Sequence, residues 1–181
     1  MTKLFIAINL PSNVGAVLAQ LQPPATQGIR LVAPEQMHVT LHYVGTANFD
    51  ALAAALQPIA VDSFTLDFEG VGQFSSADDS TTLWAGVRAS PELLGVHEQI
   101  AAVLKRDGYS LETRHYSPHV TLARCEPAVP ARVVTDFLSR NADFLLPRVA
   151  VSGFALYTST MTNSTPIYSP ERHFPSKANS N

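Results

Sequence analysis

Two histidines each open the same tetrapeptide. His38-Val39-Thr40-Leu41 recurs as His119-Val120-Thr121-Leu122, close to half the chain further on. Both copies fall in runs of β-forming residues, and each is entered from a proline-bearing turn, at Pro34 and at Pro118. Residues two apart on a strand share a face, so each copy presents an imidazole beside a threonine hydroxyl. Two such strands facing one another would line a cleft with two imidazoles and two hydroxyls. Phosphodiester cleavage has a use for that set. A base takes a proton from the attacking oxygen while an acid protonates the leaving oxygen on the opposite side of phosphorus. Histidine, with an unperturbed pKa of about 6.5, holds either state at neutral pH. Thr40 and Thr121 are placed to donate hydrogen bonds to the non-bridging oxygens as charge builds there. The pairing demands no metal. For one copy alone, a half-buried polar pair on a strand is the commoner reading; the symmetric duplication favours chemistry.

The elements that must position these residues alternate between strand and helix. Residues 4–10 read as a strand that stops at Pro11, and Ser12 offers a cap for a helix carrying Val14, Val17, Leu18 and Leu21 at helical spacing. Strand candidates at 29–33 and 37–44 precede a short Ala-rich helix at 49–56. Phe64, Leu66 and Phe68 alternate in a strand running to Phe74. A polar loop at 75–80 returns the chain into a strand at 81–87, with Leu83, Ala85 and Val87 on one face and Trp84 on the other. Ser90-Pro91-Glu92 starts a helix that Gly108 stops. A further helix is expected at 131–139, a strand at 148–157 and another around Ile167. The stretch beyond Pro170 reads as a polar, mobile tail. The order predicts an α+β chain with an internal duplication.

Composition narrows the function. The hydrophobic fraction of 46% with 15% charged residues fits a folded domain rather than a disordered one. A net charge of −3 and no basic stripe argue against a protein that tracks a long phosphate backbone. A nucleic-acid substrate would be gripped at one phosphate or one end. The lone Cys125 cannot form an internal disulfide, which fits a reducing compartment. The apolar run at 4–8 is too short for a membrane span and has no signal-peptide cleavage pattern, so a cytoplasmic protein with no membrane partner is expected.

The sequence resembles the two-histidine phosphoesterase superfamily, and within it the RNA 2′,3′-cyclic phosphodiesterases historically called 2′-5′ RNA ligases. The likeness is carried by Lys3-Leu4-Phe5-Ile6-Ala7-Ile8-Asn9-Leu10-Pro11, by Met37 to Gly45, by Leu83-Trp84-Ala85-Gly86-Val87 and by Tyr116 to Arg124. Only the tail after about Pro175 lies outside it. The resemblance implies two pseudo-symmetric lobes, each an antiparallel sheet backed by helices, with the motifs facing across a central active-site groove. It implies one domain over residues 1–175, with halves near 1–88 and 89–175, exchange of strands between lobes left open, and a polar tail at 176–181. It further implies that His38 protonates the departing ribose O3′ while His119 activates water, leaving a 2′-phosphate. Thr40 and Thr121 would hold the phosphate and Arg124 would neutralise it, a task suited to a permanently charged guanidinium. The alternative for Arg124 is a surface cation at a strand end. Tyr43 occupies a position that in the family stacks on a nucleobase. Strict alternation points it away from the His38 face, so that role requires a twist or bulge, and hydrophobic packing is the alternative.

Other residues have weaker claims. His42 follows His38 by four, a zinc spacing on a helix, but the pattern is a strand and no cysteine or carboxylate accompanies the pair. His42 is therefore read as a residue of the groove rim that faces substrate. Arg30 is a candidate for a phosphate or ribose contact, against a surface role. His97 and His115 are expected in packing or at the surface, His173 in the tail, Cys125 as a small apolar filler and Trp84 in the core. No cofactor and no metal are expected, RNA ends or nucleotides with a 2′,3′-cyclic phosphate are the expected partners, and a monomer is the simplest assembly. Rival activities are making or cleaving 2′-5′ linkages, opening a cyclic phosphate on a small nucleotide, metal-dependent hydrolysis, and non-catalytic binding of RNA ends.

Overall fold

The computed structural model describes residues 3–162 and 165–177. In chain order it holds β1 (Lys3–Asn9), α1 (Ser12–Ala19), β2 (Ile29–Leu31), a 3₁₀ turn at Pro34–Gln36, β3 (His38–Thr46) and α2 (Phe49–Leu56). There follow β4 (Phe64–Ser75), β5 (Thr81–Val87), α3 (Pro91–Arg106) and β6 (His119–Cys125). The chain ends with α4 (Ala131–Arg140), β7 (Leu145–Val151), β8 (Gly153–Thr162) and β9 (Thr165–Pro175). No helix among the described residues is long and apolar enough to cross a membrane.

The strands form two antiparallel sheets. One is ordered β3-β1-β8-β9 and the other β2-β6-β5-β4-β7, so the motif strand β3 lies beside β1 and the motif strand β6 lies between β2 and β5. Neither sheet is drawn from one half of the sequence. β1 of the first half pairs with β8 of the second, and β2 and β4 of the first half pair with β6 and β7 of the second. The two α+β lobes each draw strands from both halves of the sequence. Their sheet backs and helices share one continuous apolar core, which includes Ile6, Ile8, Val39, Leu41, Leu83, Val120, Leu122 and Phe137.

Local signals place the helices well. Asn48 Oδ1 accepts from the Ala51 N–H at the start of α2, and Ser90 Oγ accepts from the Leu93 N–H at the start of α3. Lys105 and Arg106 close α3 near its negative end. α1 departs from expectation: Pro11 occupies the cap position, Ser12 is already helical, and no side chain caps the helix.

Two expectations fail at the C-terminal side. The single strand anticipated at 148–157 is two strands in different sheets, β7 and β8. The break falls at Gly153, whose φ of 129° and close approach to the Phe174 carbonyl exclude any side chain. The stretch beyond Pro170 is not a mobile tail as far as Pro175. It is the end of β9, where His173 pairs with Ala155 and Phe174 is buried. Of the anticipated tail, residues 178–181 lie outside the described residues.

Candidate active site

β3 and β6 have the same alternation for six residues: half-buried, buried, half-buried, buried, buried, exposed. The repeat of two buried residues marks a β-bulge in each strand. Thr40 pairs with Ala7 and His42 with Ile6, leaving Leu41 as the extra residue. Thr121 pairs with Trp84 and Ala123 with Leu83, leaving Leu122 as the extra residue. A bulge reverses the facing of everything after it. Tyr43 is therefore brought round to the face of His38 and Thr40, and Arg124 to the face of His119 and Thr121. Both would point the other way on a regular strand. The bulge anticipated for Tyr43 is present, and the same device serves Arg124.

The same bulge overturns the reading of His42. It faces the interior at 8% exposure, its Nε2 is 2.8 Å from the His97 carbonyl, and its ring stacks on that of His97 at 4.1 Å. His97 stacks in turn on Tyr116 at 3.9 Å. Burial lowers the pKa of His42 and takes that of His97 down to about 4, so both are neutral packing groups.

The two catalytic candidates are held in the same way. His38 Nδ1 is 2.8 Å from the Gln36 carbonyl, and His119 Nδ1 is 2.8 Å from the Ser117 carbonyl. A carbonyl only accepts, so each Nδ1 carries the hydrogen and each Nε2 is left to exchange a proton. Gln36 is itself fastened to β9, donating through Nε2 to the Tyr168 carbonyl at 3.1 Å and accepting from the Tyr168 N–H at 2.8 Å.

Aromatic rings wall each imidazole. Phe5, Tyr157 and Tyr168 lie with their ring centres within 5.5 Å of that of His38. His119 meets Phe74 edge-on at 5.0 Å and Trp84 at 6.0 Å. Trp84 is not core: it lies half-buried on the groove face, flat over Gly72, where an added Cβ would fall 2.2 Å from the indole. Its alternation opposite Leu83 and Ala85 had signalled another face, but not that this face was the groove. Phe74, at 40% exposure, would share the face of Phe64, Leu66 and Phe68 on a regular strand; the extra residue between Phe68 and Val71 turns it to the face of Trp84.

The sheets bring the two motifs together. β3 and β6 approach to within 8 Å at Cα, and the Tyr116 hydroxyl donates to the Thr40 carbonyl at 3.0 Å. His38 responds to the charges of both His119 and Arg124. Its pKa falls to about 4, through burial first, opposed by the Gln36 carbonyl, and then through His119 and Arg124. Burial and Arg124 lower His119 as well. Arg124 Nη1 donates to Thr82 Oγ1 at 3.3 Å, and Arg30 stands directly across from Arg124 on β2, exposed on the same face. His115 is exposed and Cys125 buried. Among the described residues, no three or more histidine, cysteine, aspartate or glutamate side chains are grouped to hold a metal ion.

Against known proteins, the family model described as the 2′-5′ RNA ligase superfamily matches residues 10–161. This chain belongs to that superfamily. Its relatives in the superfamily include an RNA 2′,3′-cyclic phosphodiesterase of Archaeoglobus fulgidus, 27% identical over 95% of this chain and 99% of the relative. One of Thermotoga maritima is 26% identical over 92% and 91%. Among solved structures, E. coli LigT complexed with 3′-AMP superimposes with a TM-score of 0.73 at 25% identity, covering 98% of this chain and 99% of LigT. TT0787 of Thermus thermophilus shares the superfamily fold at a TM-score of 0.76 and 24% identity, over 96% and 97% of the two chains.

Proposed function

We propose that this chain is an RNA 2′,3′-cyclic phosphodiesterase that opens the ring to a 2′-phosphomonoester without a metal. The observation that carries the reading is the matched pair of imidazoles, each anchored through Nδ1 to a carbonyl two residues upstream, on facing strands. Curated relatives named for this activity, aligned over nearly the whole chain, support it.

In this mechanism neutral His119 takes a proton from water through Nε2, and the water oxygen attacks phosphorus. The bond from phosphorus to O3′ breaks in line, and protonated His38 delivers its Nε2 hydrogen to O3′. Thr40 and Thr121 donate to the non-bridging oxygens, and Arg124 offsets the growing negative charge. Tyr43 stacks on the base of the terminal nucleoside, and Arg30 supports the phosphate or ribose from the Arg124 side. His38 then regains a proton and His119 releases one to solvent, which restores the starting state.

The test is hydrolysis of RNA ending in a 2′,3′-cyclic phosphate, with the 2′- and 3′-phosphate products resolved. His38→Ala and His119→Ala should each lower turnover by about 10²–10⁴-fold, while EDTA leaves the parent unaffected. Parent-level rates in both variants, or activity lost to EDTA and restored by zinc or manganese, would overturn the reading. A second reading, cleavage or sealing of 2′-5′ linkages, draws support from the exposed Phe74 ring beside His119, which offers a stacking surface for a second nucleoside. A 2′-5′-linked dinucleotide assayed in parallel decides between them.

A further inference from the structure

We propose that Gln22 is a positioning residue for the phosphate contact, acting through the bulge that aims Arg124. The proposal rests on the function above only in taking Arg124 as the group that meets phosphate. Residues 119 and 124 are five apart, so on a regular strand their side chains would take opposite faces. The extra residue at Leu122 is what places Arg124 in the groove. A bulge interrupts the ladder and leaves main-chain groups in search of partners. Here β2 runs beside β6 only as far as the Leu31–Ala123 pair, after which the Val32 N–H donates to the Leu122 carbonyl at 2.9 Å.

Gln22 completes the bulge. Its Nε2 donates to the Val32 carbonyl and to the Leu122 carbonyl, both at 2.7 Å. A primary amide carries two N–H groups on one nitrogen, so one side chain satisfies a carbonyl on each strand. The segment bearing Gln22 is itself fixed. Its N–H donates to the Ala19 carbonyl at 3.2 Å, and Asn141 Nδ2 donates to the Leu21 carbonyl at 3.1 Å. Gln22 Nε2 bonds main-chain carbonyls and neither imidazole nor Arg124; its influence passes through the backbone of β6. Loss of the amide hydrogens removes one of the two hydrogen bonds that hold the Leu122 carbonyl, and Arg124 is the charged side chain whose facing depends on that residue.

The experiment compares the parent, Gln22→Leu, Arg124→Gln and the double variant. Two readouts are used: inorganic phosphate binding by calorimetry, and kcat/KM for a nucleoside 2′,3′-cyclic phosphate across pH. Gln22→Leu should lower kcat/KM about tenfold to a hundredfold and weaken phosphate binding. It should also move the pH optimum upward as Arg124→Gln does, because both relieve the histidines of the guanidinium charge. In the Arg124→Gln background it should add less than about twofold, the non-additivity of residues acting through one group. The proposal is overturned if the two losses multiply in full, if the pH optimum of Gln22→Leu stays at the parent value, or if its phosphate affinity is unchanged. Should Gln22→Leu fail to fold, Gln22→Asn, which keeps the amide but shortens its reach, carries the same comparison. A parent that binds phosphate without hydrolysing the cyclic ester ends the catalytic reading and leaves the binding comparison decisive for Gln22.

Discussion

Titrating His38 with the groove empty and with an anion bound puts the proposed acid under the most direct test. Its pKa is lowered from 6.5 to about 4, a depression that corresponds to roughly 3 kcal/mol against the charged form. Burial among Phe5, Tyr157 and Tyr168 is the largest cause, and the charges of His119 and Arg124 add to it. His38 is therefore neutral in the free protein at pH 7, whereas the mechanism needs it protonated beside O3′. A bound phosphate supplies the missing counter-charge. If an anion restores His38 to its ordinary value, its affinity for the protonated protein exceeds that for the neutral protein by the same factor, roughly 300-fold. Ring-nitrogen NMR resolves the two histidines, and sulfate is a suitable anion because it stays dianionic through the range. The expected result is a His38 midpoint near pH 4 in free protein, raised by one unit or more under saturating sulfate. Above pH 7, both His38 and His119 should carry the hydrogen on Nδ1. A free-protein midpoint near 6.5, or a midpoint unmoved by sulfate seated in the groove, would refute the account of how His38 becomes the acid. The same shift bears on folding. The folded-state pKa lies below that of the unfolded chain, so the contribution of neutral His38 is complete above about pH 6.5 and lost as pH falls through 4.

Arg124→Gln should lower kcat by about 10²–10³-fold; because the guanidinium depresses both histidines, the optimum of kcat/KM should also rise in pH, which a pH–rate series would show. Tyr43→Ala should raise KM for nucleotides by the equivalent of about 1–3 kcal/mol with an unchanged thermal midpoint, since the ring is 45% exposed; an unchanged KM would return Tyr43 to packing. Phe137→Ala should destabilise the fold by about 3–5 kcal/mol in urea titration, because Phe137 is fully buried and is the only buried residue of α4.

The residues proposed for the chemistry were legible in the sequence, because a duplicated His-x-Thr on strand-like segments puts an imidazole and a hydroxyl side by side whatever lies around them. The capped helices at 49–56 and from Pro91 were equally legible, since their signals are local. Facing beyond the tetrapeptides was another matter. His42 passed for a groove residue, and Trp84 for a core one, because period-two alternation tells two faces apart without saying which is wet. The leucine bulges, which send His42 inward and bring Tyr43 and Arg124 to the groove, depend on partners distant in sequence. Leu122 meets Gln22 and Val32, and the Thr40 carbonyl meets Tyr116. The crossing at Gly153, the wall that β9 builds behind His38 and the depressed pKa of that ring likewise arise only when each sheet assembles strands from both halves of the sequence. Sequence order carries the identity of the proposed acid–base pair; the register between strands, a long-range property, decides what surrounds it.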